Sequence, residues 1–330
     1  MRTIGNETRG VIGGQGDAAR IAAQNLAVWT LALPALRALE SAFIPFIVFK
    51  SLPQLEELYG DVGARQSTDV DVLVHATQAV AAIDALRTCG CTIVDMEAFE
   101  FLEADMDIAA AATFRPWLLE LSSSDLRVVI DLHTDARHVP WPWYHPTFTH
   151  DVWHGAKPVT LDGVSFLTLS EEERFIFLCW HLLAHQMSRV HRRDLEVILG
   201  RTSLDWNYIS RRATEAGVAG MVEFVCHVVE SSTAIALDRD GLGLPQNRRQ
   251  RLLQAMYLRR PGELDMVAAL ALRAGMHDRL HDVIAVLREA IVPSRDDVAV
   301  NYLHRRPSNG EYALTVVRVY RHRISKRVRK

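Results

Sequence analysis

The stretch F-I-V-F-K-S-L-P-Q-L-E-E-L-Y-G-D-V-G-A-R-Q-S-T-D-V-D-V-L-V, from Phe46 to Val74, decides the fold. Phe46 to Phe49 is a continuous apolar run, the pattern of a central strand buried on both faces. Ser51 with Gln54 behind it matches a capping box, and Pro53 suits the first turn of a helix. Gly60 to Gly63 ends that helix. Val70 to Val74 is the next strand, with Val70, Val72 and Val74 on one face and Asp69, Asp71 and Leu73 on the other. Two carboxylates two residues apart on a strand point the same way. Like charges that close call for a positive partner, and a hard cation such as Mg²⁺, which takes oxygen ligands, would serve. A helix N-terminus at the end of a buried strand is also an anion site, with Lys50 adding charge. A plain strand-to-helix cap with a surface lysine fits the same letters equally well.

Working outward toward the C-terminus, Ala76 to Arg87 reads as an amphipathic helix and Cys91 to Asp95 as a third strand. Trp117 to Leu121, the turn S-S-S-D and Leu126 to His133 read as a β-hairpin. Its second strand carries R-V-V-I-D-L-H-T-D, so Asp131 and His133 share a face. An aspartate interrupting a Val/Ile run is costly to bury unless paired or bound to a cation, which makes Asp131 the natural third carboxylate. His138 to Pro146, with three prolines and three large aromatics, is too irregular for a helix or strand. It is either a wall for a ligand or a loop packed on the core. A short hairpin turns at Asp162–Gly163. Ser170, with Glu172 and Glu173 behind it, caps a long helix bearing His181 and His185 one turn apart. The spacing can bind zinc, but H-L-L-A-H lacks the glutamate of H-E-x-x-H, so packing or outer-sphere histidines are the preferred reading. His191, Arg192, Arg193 and Asp194 could face phosphates or form a solvated basic turn. From Asp205 onward the pattern is helical, with breaks near Gly241–Pro245, Pro261, Pro293 and Pro307–Gly310.

Working outward toward the N-terminus, Asp17 to about Ala42 is helical, with Pro34 expected to kink it or start a second helix. Gly10 to Gly16 is glycine-rich, but it fits neither phosphate-loop pattern and no strand precedes it, so it reads as an arm. The expected division is an N-terminal arm with helices over 1–42, a core over 43–168 and a helical region over 169–330.

The 330 residues are 49% hydrophobic and 23% charged with net charge −3, which excludes a generic nucleic-acid binder. The last twenty residues, from Glu311, hold seven Lys/Arg against one Glu. Such a tail meets nucleic acid, an anionic surface or an acidic partner, or is simply an exposed helix end. Cys89, Cys91, Cys179 and Cys226 lack zinc spacing, and reduced thiols in a cytoplasmic protein are the simplest account. No signal peptide is evident, and the apolar run Leu26 to Leu36 is too short to span a bilayer.

Taken together, Lys50-Ser51, Tyr59, Arg65, Asp69-Val70-Asp71 and Asp131-Leu132-His133 resemble the uncharacterised nucleotidyltransferase branch of the polymerase β-like nucleotidyltransferase superfamily. That branch shows Lys-Gly after a buried strand, then Tyr, Arg, Asp-x-Asp and Asp/Glu-Leu-His. Trp153, the Leu169-Ser170 helix start, His181, His185 and Asp194 fit it too. The likeness covers about residues 20 to 200. Ser51 departs from it, standing where the branch usually has glycine and so lacking the freedom that lets a glycine backbone come closest to phosphate.

The resemblance implies an α+β fold, a polymerase β-like core with a mixed sheet between N-terminal helices and a helical C-terminal region. It implies Asp69, Asp71 and Asp131 as catalytic metal ligands for Mg²⁺, with Mn²⁺ as a substitute. Lys50, Ser51, Arg65 and Ser67 would bind the nucleotide. His133, His181 and His185 would stand around the acceptor or behind the ligands. The expected activity is transfer of an NMP from an NTP donor, ATP first among them, to a hydroxyl or phosphate of a small metabolite or peptide. The competing readings are nucleotidyl transfer to a protein or RNA, for which the basic tail speaks, and a non-catalytic module that binds nucleotide or a partner on the same fold. No membrane partner is expected.

Overall fold

The structure, a computed structural model, describes residues 15–94, 117–122, 127–134, 152–153, 155–201, 203–233, 246–259, 261–280 and 306–328, with isolated positions between these spans. The expectations for Gly10 to Gly14 and for the aromatic loop His138 to Pro146 lie outside the described residues.

The protein is a mixed α+β fold. Helix α1 (Gln15–Ser41) leads into strand β1 (Phe46–Val48), helix α2 (Leu52–Tyr59), strand β2 (Asp69–Val74), a 3₁₀ turn (Ala76–Gln78) and helix α3 (Ala79–Thr88). Strands β3 (Thr92–Ile93), β4 (Trp117–Ser122), β5 (Arg127–His133), β6 (Lys157–Leu161) and β7 (Val164–Thr168) follow. They form a seven-stranded sheet in the order β3-β4-β5-β2-β1-β7-β6. β2 runs antiparallel to β1 and parallel to β5, and β1 runs parallel to β7. The hairpins β4–β5 and β6–β7 are antiparallel. At the second hairpin Asp162 and Gly163 take φ of 50° and 74°, the left-handed pair that a two-residue turn needs. The Asp162 carboxylate accepts the Trp29 Nε1–H bond at 2.8 Å, tying the turn to α1.

The sheet has two covered faces. Phe46 and Val48 of β1, Val70, Val72 and Val74 of β2, and Val128, Ile130 and Leu132 of β5 form one apolar cluster with Trp29, Leu36 and Leu39 of α1 and Ile83 and Leu86 of α3. Ile47, Phe49 and Leu73 face the other way. They join a second cluster with helices α4 (Glu171–Ala184), α5 (Arg189–Arg201), α6 (Trp206–Glu215), α7 (Ala219–Ser232), α8 (Arg248–Arg259) and α9 (Met266–Met276). Helix α10 (Asn309–Val328) ends the described chain. The period-two alternation of β2 and β5 therefore turns every valine, isoleucine and leucine but Leu73 and Val129 toward α1 and α3. Asp69, Asp71, Asp131 and His133 turn toward the helical layer.

Two local expectations change. Helix α1 runs through Pro34 as a single 27-residue element, so of the two outcomes expected there the start of a second helix is excluded. Burial of Trp29, Ala32, Ala35, Leu36 and Leu39 along one side holds together a helix that has lost one backbone bond. Ser51 makes no capping bond, because its hydroxyl donates instead to the Asp69 carbonyl at 2.5 Å. Gln54 is buried, and among the described residues its side-chain amide has no hydrogen-bond partner. The cap foreseen at Ser170 does form, its Oγ accepting from the Glu173 N–H. Among the described residues no helix is long and apolar enough to cross a membrane.

Candidate active site

The register of β2 against β5 sets Asp71 beside Asp131 and Leu73 beside His133. Parallel neighbours in register present their same-face side chains side by side, so two separate sequence motifs become one cluster. One donor atom each from Asp71, Asp131 and His133 lies within 4.8 Å of the others. Asp69 is half-buried two residues earlier on the same face and stands outside that closest set.

Asp71 is only 1% exposed. Its Oδ1 accepts from Lys50 Nζ at 2.9 Å and lies 3.0 Å from His133 Nε2, while its Oδ2 has no hydrogen-bond partner among the described residues. Burial would push the carboxyl up, but the Lys50 charge and the His133 bond outweigh that and hold it well below the usual range. Asp131 moves the other way. Burial, with the charges of Asp71 and Asp69 beside it, raises it well above the usual range against the pull of Lys50. Burial works against a charged Lys50, yet Asp71, Asp69 and Asp131 together raise its pKa. Without a bound ion, then, one ammonium serves the acids, one carboxylate oxygen is buried bare and one acid is driven toward its neutral form.

The backbone at Lys50-Ser51 is bent sharply: Ser51 takes φ 77° and ψ −152°, a region that belongs to glycine. The carbonyl of Asp69 accepts from both Ser51 Oγ and Ser67 Oγ, at 2.5 and 3.3 Å, which lashes the bend to the start of β2. The loop behind it is held by Asn25 of α1. The Asn25 amide donates to the carbonyls of Val62 and Arg65 at 2.7 and 2.8 Å and accepts the Ser67 N–H at 2.8 Å. Sequence reading missed Asn25. The available signal was a polar residue in the row Ile21-Asn25-Trp29 of an otherwise apolar helix stripe.

Arg65 Nε donates to Asp194 Oδ1 at 3.1 Å, and the Tyr59 hydroxyl donates to the same oxygen at 2.5 Å. Burial and the Asp194 charge push the Tyr59 phenol up, so it stays a donor. Asp194 is buried on α5, and this knot joins α2, the Arg65 loop and α5. Across the cleft His181, His185 and His191 touch in pairs, with ring centroids 4.1, 4.4 and 4.3 Å apart. Burial lowers all three, His185 to about 4, with Lys50 adding to the shift in each. Phe177 links the two sides. Its ring stacks on His181 and meets Phe49 edge-on, and Phe49 in turn meets His133. At the end of β2, His75 stacks on Trp153 at 3.9 Å.

The structure thus gathers Lys50, Asp71, Asp131 and His133 at one point and bends Ser51 beside them. It anchors Arg65 on Asp194 and engages Ser67 with backbone. His181 and His185 form a separate cluster with His191. The family model described as "Uncharacterised nucleotidyltransferase" matches residues 15–233, which span every one of these side chains. No curated protein matches the chain, and no solved structure does.

Proposed function

We propose that this chain, which belongs to the uncharacterised nucleotidyltransferase family, moves a nucleoside monophosphate from an NTP, with ATP the expected donor, to a hydroxyl or phosphate of a small molecule or peptide. The observation that carries the metal-dependent form of this reading is the pair Asp71 and Asp131. A buried carboxylate oxygen without a hydrogen-bond partner among the described residues lies beside an acid that burial and its charged neighbours drive toward neutrality. That is a donor set short of positive charge. Oxygen donors of this kind suit Mg²⁺ or Mn²⁺. Asp71 and Asp131 would hold the ion, with Asp69 on the same face and His133 at its margin.

A divalent ion bound there supplies a lower pKa for an attacking hydroxyl and neutralisation of the leaving pyrophosphate. The chain's own groups do the rest. The acceptor oxygen bonds to the α-phosphorus as the bond to the pyrophosphate oxygen breaks. Asp131 is the base for the proton released from the hydroxyl. Lys50 leaves Asp71 Oδ1 when that oxygen is otherwise occupied, and its ammonium then pairs with phosphate oxygens. Arg65 keeps its Nε on Asp194 and offers the outer nitrogens of its fork to the same phosphates. The bend at Ser51 turns the first N–H groups of α2 toward that charge.

A second reading, transfer to an RNA end or a protein, has the basic residues of α10 in its favour. Removal of the chain beyond Glu311 separates the two, since it would abolish modification of a macromolecule and spare a small acceptor. The primary test is calorimetric titration of each NTP, with and without Mg²⁺, into the wild type and Asp71→Asn. The expected result is Mg²⁺-dependent binding of one NTP, lost in the variant. With the acceptor found, kcat should fall by about 10²–10³-fold in Asp71→Asn, the loss typical of removing one charge-stabilising group. Absence of NTP binding to both proteins would end the transferase reading.

A further inference from the structure

We propose a second metal centre, made by His181, His185 and His191, that takes a borderline transition cation of the Zn²⁺ or Co²⁺ class. It is independent of the carboxylates and of the transferase reading. His181 lies in the last turn of α4, His185 closes that helix, and His191 lies in the first turn of α5. The turn between the helices is tight. Gln186 and Met187 take φ of 59° and 63°, two successive non-glycine residues in the left-handed region, a strain that persists only where the surroundings enforce it. Met187 is fully buried and the Leu264 N–H bonds to the Gln186 carbonyl at 2.8 Å, which supplies that enforcement. The outcome of the turn is that one ring nitrogen from each histidine lies within 4.8 Å of the other two.

The hydrogen bonding points the same way. His191 Nδ1 is 2.5 Å from Ser188 Oγ. With Nδ1–H donating to the hydroxyl, the ring is fixed and Nε2 is left as the ligand atom, the arrangement usual for a metal-bound histidine. Among the described residues no hydrogen bond is made by the nitrogens of His181 or His185. All three rings are half-buried, so the nitrogens stay within reach of an incoming cation. Three imidazole nitrogens around one point, with no carboxylate among them, suit Zn²⁺, Co²⁺ or Ni²⁺ and not Mg²⁺. Lys50 and Arg65 carry positive charge nearby, but each is paired, with Asp71 at 2.9 Å and with Asp194 at 3.1 Å. Their presence makes the open fourth position one for an anionic oxygen, such as that of a phosphate.

The test uses the full chain, stripped with a chelator and titrated with Co²⁺ while the visible spectrum is recorded. One equivalent should bind with the intense visible band of a four-coordinate site, Zn²⁺ should displace it, and inorganic phosphate should shift it. The affinity should drop by more than about tenfold in His185→Ala and in His191→Ala, exceeding the low end of what loss of even an outer-sphere partner costs. Asp71→Asn should keep the band while losing Mg²⁺-dependent NTP binding, so the two sites fail separately. A wild type without the band would overturn the proposal whether or not the histidine variants fold. So would a band that survives both histidine substitutions, or one that disappears in Asp71→Asn.

Discussion

Ser51 holds a backbone conformation, φ 77° and ψ −152°, that costs a residue with a Cβ about 1–3 kcal/mol. It recovers part of this through its bond to the Asp69 carbonyl, worth about 0.5–1.5 kcal/mol. Ser51→Ala keeps the strain and loses the bond, whereas Ser51→Gly loses both. Urea unfolding should therefore rank Ser51→Gly above Ser51→Ala by roughly 1–3 kcal/mol, and an alanine variant as stable as the glycine one would show that the bend is not strained. At this scale the sequence was informative because polar side chains interrupt apolar strands: Asp69, Asp71, Asp131 and His133 each break a run that could otherwise be wholly Val, Ile and Leu. The capping box at Ser51 was misread because a hydroxyl has more than one backbone group in reach. A carbonyl 18 residues away took it, and no local pattern reports that.

Asn25 joins α1 to the Val62–Ser67 loop by three bonds. Asn25→Ala leaves two carbonyls and an N–H without those partners, so it should cost roughly 2–4 kcal/mol, at about 1 kcal/mol per bond. Because the loop carries Arg65, the KM for NTP should rise more than kcat falls. A thermal melt within error of the wild type, with unchanged KM, would refute the clamp. The strands, the α2–β2 unit and both hairpins were legible from alternation and turn residues. Which of its two expected effects Pro34 would have was not, because tertiary burial, which outweighs one missing backbone bond, keeps α1 a single helix. Nor was the convergence of His191 with His181 and His185, since it depends on two left-handed residues of types, Gln and Met, that do not announce a turn.

On the scale of the molecule, the apolar cluster behind the cleft runs from Ile47 to Met276, well beyond residue 233 where the family match stops. Leu244, Tyr257, Leu272 and Met276 are buried in it. Each such side chain contributes about 1.5–3 kcal/mol, against a total stability of about 5–15 kcal/mol for a typical protein. A chain ending at residue 233 should accordingly lose cooperative unfolding and solubility. If it melts sharply at the temperature of the full chain, the last helices are dispensable to the core. The pairing of β2 with β5 bears on a different matter, the order in which the chain is made. Asp71 and His133 are 62 residues apart, so at about 5–20 residues per second a ribosome exposes β2 for roughly 3–12 s before its partner strand exists. Through that interval β2 is an open edge of valines, which invites pairing with other nascent chains. Two carboxylates on that edge repel such company. The same acids that gather around Lys50 in the finished protein would, in the unfinished one, act as its guard against aggregation.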